Sequence, residues 1–169
     1  TLISPDPLAL DTSLASPPAL RENIVFLTDT RFQTQCSTCA PSPARAVEAM
    51  QAAVLRLYGP QAGGLVSPER LTSYSFSDLP AVLDGNGGNA FEGDLRATDW
   101  IVIGMLDDEV SLPNITLLRR FLSERQDLLR DKRIVVFSFG APFYLDAPDV
   151  SKLAAFYGVY SHTGPFVDV

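Results

Sequence analysis

An α/β domain with a mostly parallel sheet sandwiched between helices, a three-layer α/β/α arrangement, is what this sequence predicts. Three observations carry that expectation. Asn23 to Thr28 (NIVFLT), Trp100 to Gly104 (WIVIG) and Ile134 to Phe139 (IVVFSF) are continuous β-branched, aliphatic and aromatic runs. Such runs mark strands covered on both faces. Between them, Val47, Met50, Val54 and Leu57, and later Leu118, Phe121, Leu122 and Leu129, recur at helical spacing. Strands that alternate with helices imply βαβ units and a parallel sheet.

Taken in order, residues 1–21 hold Pro5, Pro7, Pro17 and Pro18, which forbid a continuous helix. This stretch reads as a linker or domain-entry segment with a short extended piece at Leu2–Ile3. Residues 22–169 read as one α/β sandwich domain. After the first strand comes a loop from Asp29 to Pro41. Ser42 then offers an N-cap and Pro43 suits a first helical position. The helix that follows runs to Gly59. Leu71 to Tyr74 forms a short strand, and Ser75 with Asp78 forms a capping box before a turn at Leu79 to Leu83. Asn114 is placed to cap the helix bearing Leu118, and Asp146 to cap a short turn helped by Pro148 and Asp149. Ala154 to Tyr160 (AAFYGVY) reads as a last strand, with its leading alanines leaving a helix open.

Composition narrows the function classes. The 169 residues are 46% hydrophobic and 20% charged, with a formal net charge of −7. That balance suits a globular domain large enough for its own core. No apolar run approaches the roughly 20 residues that a membrane-spanning helix needs. Nucleic-acid binding needs clustered cations. The nearest to a cluster, Arg119, Arg120, Arg125, Arg130, Lys132 and Arg133, reads as a solvated helix face. No nucleic-acid partner, membrane or cofactor is expected, and the compartment stays open.

In a parallel sheet, ligands bind beyond the carboxyl ends of the strands. Here those ends are Asp29 to Cys39, Met105 to Glu109, Gly140 to Tyr144 and Ser161 to Pro165. Cys36-Ser37-Thr38-Cys39 lies in the first. A C-x-x-C before a helix suits redox chemistry, a local disulfide or pair of free thiols, or part of a shared metal site. With one histidine in the chain, His162, no complete zinc set is evident. Gly85 to Gly88 follows a helix and lacks G-K-[ST], so it is a loop and not a phosphate cradle. Asp107, Asp108 and Glu109 put carboxylates at a strand end, where acid–base work on a glycosidic bond is one role and a solvated turn the other. Tyr144 offers a ring for stacking on a sugar. Arg31, Tyr144 and His162 are the residues expected to line a substrate pocket or an interface.

The segment KRIVVFSFGAPFYLDAPDVSKLAAFYGVYS, Lys132 to Ser161, resembles the C-terminal domain of glycoside hydrolase family three, in its β-N-acetylhexosaminidase-like branch. The matching features are the strand Ile134 to Phe139, the turn Ala141–Pro142, the step Tyr144-Leu145-Asp146 and the strand Tyr157 to Ser161. Thr1-Leu2-Ile3 is similar to the segment that enters this domain from the family's barrel. The resemblance implies a sheet between helices, and a catalytic aspartate nucleophile that lies in a (β/α)8 barrel outside this chain. In the β-glucosidase branch this domain supplies a glutamate as acid/base. Glu109 falls near that place without the accompanying E-x-x-D-R pattern, which favours the hexosaminidase-like branch or a non-catalytic role.

The resemblance therefore implies an accessory domain of an exo-acting β-glycosidase, excised from a larger barrel-containing enzyme and inactive alone. Its partner would be the N-terminal catalytic barrel, its carbohydrate would come through that barrel, and its exposed contact face would promote self-association. Two other readings stay open: a stand-alone module for a small ligand or sugar, and a thiol–disulfide protein that uses Cys36 and Cys39.

Overall fold

The apolar runs come together in one sheet, and the order in which they do so sets the geometry of everything else. The structure, a computed structural model, describes residues 2–3, 16–30, 32–33, 36, 38–43, 45–85, 90–106, 112–139 and 145–159. Its elements are β1 (Leu2–Ile3), β2 (Ile24–Thr28), β3 (Phe32–Gln33), β4 (Ser42–Pro43), α1 (Ala49–Tyr58), β5 (Leu71–Ser75), α2 (Leu79–Leu83) and α3 (Ala90–Ala97). Then follow β6 (Trp100–Met105), α4 (Leu112–Glu124), α5 (Gln126–Leu129), β7 (Arg133–Ser138), α6 (Ala147–Val150) and β8 (Ala155–Gly158).

The main sheet has six strands in the order β1-β8-β7-β6-β2-β5. All pairs from β8 to β5 are parallel, and β1 closes the β8 edge in the antiparallel sense. Counted by themselves, the parallel strands follow the doubly wound order 2-1-3-4-5, whose direction reverses between β2 and β6. Ile24 pairs with Trp100 and Thr28 with Gly104, so the two strands end level at the reversal.

Side chains alternate to the two faces, as the strand period of two requires. Val25, Leu27, Ile101, Ile103, Met105, Ile134 and Val136 pack under α2 to α5, against Leu79, Val82, Leu95, Leu118, Phe121 and Leu122. Ile24, Phe26, Trp100 and Val135 pack on the other face with Met50 of α1. The result is the three-layer α/β/α fold. On the α1 side, however, Val102, Phe137 and Tyr157 are only half-buried. The Phe137 and Tyr157 rings stack there at 5.1 Å.

Local chemistry fixes the element ends. Ser75 makes the expected capping box: its Oγ accepts from Ser77 N–H at 3.1 Å, and its own N–H donates to Asp78 Oδ2 at 2.8 Å. Asp146 caps α6 by accepting from Asp149 N–H at 3.1 Å. Two expected caps are corrected. Ser42 and Pro43 do not start a helix; they form β4, and α1 begins at Ala49. Between β4 and α1, Val47 C=O accepts from Thr28 Oγ1 at 3.0 Å, at the carboxyl end of β2. Asn114 does not cap α4, which starts at Leu112; its side chain reaches across to Asp29 instead.

Opposite charges join the helices. Arg125 bonds Glu92 at 2.9 Å and the Val82 carbonyl, which ties the α4–α5 junction to α3 and α2. Arg119 bonds Asp149 at 2.8 Å and also Asp146, which ties α4 to α6. At the amino end of the sheet, Glu22 accepts from Trp100 Nε1 at 2.8 Å and from Arg133 at 3.1 Å. Burial pushes the Glu22 carboxyl up, but these bonds and one from Ala19 N–H outweigh it and hold the group below its usual value.

Candidate functional site

The carboxyl edge at the β2/β6 reversal is where a doubly wound sheet positions a ligand or a contact. Its centre is Asp29, the first residue after β2, which is only 1% exposed. Its N–H donates to Gly104 C=O at 2.8 Å, which extends the β2–β6 ladder by one bond. Its carboxylate accepts from Leu106 N–H at 3.3 Å and from Asn114 Nδ2 at 2.9 Å. One side chain thus binds the end of β2, the exit of β6 and the first turn of α4.

Arg45 lies on the chain's return to the same edge and is 9% exposed. Its guanidinium stands 3.8 Å above the Phe139 ring, just past β7. Burial lowers its affinity for the proton, and the Asp29 charge acts in the opposite sense. Close beneath, Gly104 leaves room for Met50: a Cβ on residue 104 would lie 2.3 Å from the Met50 sulfur and 3.4 Å from Phe139. The edge is therefore packed with a buried carboxylate, a buried guanidinium and an aromatic ring.

This arrangement fastens and does not reach outward. Hydrolysis with retention requires two carboxyl groups about 5 Å apart, both open to the sugar. Asp29 is sealed from solvent, and each of its oxygens holds a neighbouring element. Its chemistry is that of a charged staple.

Between Asp29 and Arg45 the chain makes a hairpin. Phe32 pairs with Pro43 and Gln33 with Ser42. Cys36 and Cys39 are joined by a disulfide near its end, and both are exposed. The pair is therefore oxidised to a local disulfide in this structure. Among the described residues no group of three or more His, Cys, Asp or Glu side chains could take a metal ion.

Of the other residues expected to line a site, Arg31, Glu109, Tyr144 and His162 lie outside the described residues. The residues that the structure brings together, Asp29, Arg45 and Phe139, were not singled out by the sequence. A lone acid directly after a strand built on the apolar run Ile24 to Leu27 was the available signal for Asp29. Nothing comparable marked Arg45, which reaches Phe139 from far along the chain.

No protein-family model matches the chain, and no curated protein sequence does so either. Among solved structures, the chain is similar in fold to part of a fungal multi-domain GH3 β-N-acetylglucosaminidase described with a GCN5-related glucosamine N-acetyltransferase region. The TM-score is 0.53 at 14% identity, and the match covers 99% of this chain and 15% of that one. At that identity the likeness is one of fold, and the chain spans about a seventh of the length of the protein it resembles.

Proposed function

We propose that this chain is an accessory α/β domain of an exo-acting family-three β-glycosidase, β-N-acetylglucosaminidase or β-glucosidase-like, packed against a catalytic barrel outside this chain. One observation carries the reading: nearly the whole chain overlays a small part of a multi-domain GH3 β-N-acetylglucosaminidase. Two features support it. The buried acid at the sheet reversal is committed to holding elements together. The half-buried row Val102, Phe137 and Tyr157 leaves apolar sheet surface of the kind that a neighbouring domain covers. The carbohydrate would then meet this domain only beside the barrel, through Arg31, Tyr144 and His162, the residues that the sequence assigns to that contact.

The test is an assay of the 169-residue chain on aryl β-glucoside and aryl β-N-acetylglucosaminide. No turnover is expected. Turnover that disappears in Glu109→Gln would overturn the accessory role and make Glu109 catalytic. A second reading, a stand-alone binding module, is favoured by the strand order, whose reversal at Asp29 and Leu106 is a ligand position in doubly wound sheets. Calorimetric titration with N-acetylglucosamine separates the two. The accessory reading predicts no heat of binding; saturable binding by the isolated chain would favour the module.

A further inference from the structure

We propose that Cys36 and Cys39 form a thiol–disulfide exchange site, opened and closed by a dithiol reductant, with the β3–β4 hairpin passing the change to Arg45. The inference does not rest on the glycosidase reading.

Access comes first. Both cysteines are exposed, so an incoming thiolate can reach the bond from solvent. The bond spans only Ser37 and Thr38, and a crosslink across so short a loop gains little from chain entropy. Within the turn the Cys39 N–H donates to Cys36 C=O at 3.1 Å, so the two sulfurs remain neighbours when the bond opens and can close it again.

The surroundings also choose the direction of attack. Thr38 Oγ1 lies 3.5 Å from Cys36 Sγ. A hydroxyl there can donate to a thiolate forming on Cys36, which makes Cys36 the better leaving group. The reductant's thiolate then attacks Cys39 Sγ. The S–S bond breaks and its electron pair passes to Cys36 Sγ, which takes a proton from water. The reductant's second thiolate attacks its own sulfur in the mixed disulfide and expels Cys39 as thiolate, which is protonated in turn. The protein gains two thiols, and the dithiol becomes a disulfide.

The hairpin gives this exchange a consequence. Its ladder is two residue pairs long, and Pro43 brings no N–H to it. Phe32 is 73% exposed, so the hairpin buries little. Two-stranded hairpins without further cover are marginal in water. The crosslink is a local constraint at the tip of a segment that starts at Asp29 and returns at Arg45. The Arg45 guanidinium, desolvated above Phe139, depends on its backbone being held in place. An open disulfide loosens that hold.

The experiment uses the oxidised chain and dithiothreitol without denaturant, read by cysteine alkylation and mass spectrometry, with hydrogen exchange in both states. Millimolar dithiol should open the bond within minutes, and oxidised dithiothreitol should close it. On opening, amides of residues 45–50 should exchange about ten-fold faster while those of β7 keep their protection. Thr38→Ala should slow the opening several-fold. The Cys36→Ser/Cys39→Ser chain should match the reduced one in exchange and still unfold cooperatively. A bond that opens only in denaturant, equal exchange of residues 45–50 in both states, or failure of the double variant to fold would each overturn the proposal.

Discussion

Replacing Asp29 by alanine should be the most damaging change at the carboxyl edge that leaves the apolar core untouched. Three losses add. The buried Leu106 N–H loses its 3.3 Å bond to Asp29, and a hydrogen bond to a charged group contributes about 1.5–3 kcal/mol. The half-buried Asn114 amide loses its 2.9 Å bond but can turn to water, so about 0.5–1 kcal/mol goes there. Arg45, 9% exposed, loses the negative charge that favours its ionised form. That loss of Coulombic support adds to the first two. The expected total is therefore about 2–4 kcal/mol, a large share of the roughly 5–15 kcal/mol that holds a typical domain together. Trp100 is the only tryptophan and is buried in the sheet, so urea unfolding followed by its fluorescence reads the loss directly. The midpoint should fall with little change in slope. Arg45→Met in the Asp29→Ala background should recover at least about 1 kcal/mol, the size of coupling expected between neighbours in one network. A loss below about 1 kcal/mol, or strict additivity of the two substitutions, would refute the staple.

Two further outcomes follow from the same packing. Glu22 has a folded-state affinity for the proton below its unfolded value, so its stabilisation is present above the ordinary carboxylate range and is lost as pH falls through the folded value. An acid titration of Trp100 fluorescence should show this step, and Glu22→Gln should remove it; a step that survives the substitution belongs to another group. Gly104→Ala should cost about 1–2 kcal/mol because its Cβ would sit 2.3 Å from the Met50 sulfur. Thermal melts should show Met50→Ala, introduced with it, costing less than the two changes separately; simple addition would mean that the clash is relieved elsewhere.

Three inner strands were legible because each is built on a continuous apolar run, the composition that burial on both faces demands. Ile24–Thr28, Trp100–Met105 and Arg133–Ser138 occupy the positions that their sequences call for. Caps were legible where they are local: Ser75 and Asp146 bond groups within three residues of themselves. They were not legible where a distant group competes. Asn114 has the chemistry of a cap, yet Asp29, 85 residues away in sequence, takes its amide. Ser42 and Pro43 suit a helix start, yet Thr28 binds the following turn at Val47 and the two residues pair in a hairpin. The candidate site escaped for the same reason. Asp29, Arg45 and Phe139 are ordinary singly, and only the strand order makes them neighbours.

The pairing of β1 with β8 has a kinetic consequence. Leu2 lies opposite Tyr157 and Ile3 opposite Phe156, so β1 waits for β8, more than a hundred residues later, before it can dock. β2, β5 and β6, by contrast, find their partners within a much shorter stretch of chain. Contacts of long sequence separation carry the largest loop-closure cost and form late. During vectorial synthesis the early segment must stay unattached while every helix and parallel strand is made. Until β1 arrives, the outer side of β8 is an open template on which the matching strand of a second molecule can lie as well as its own.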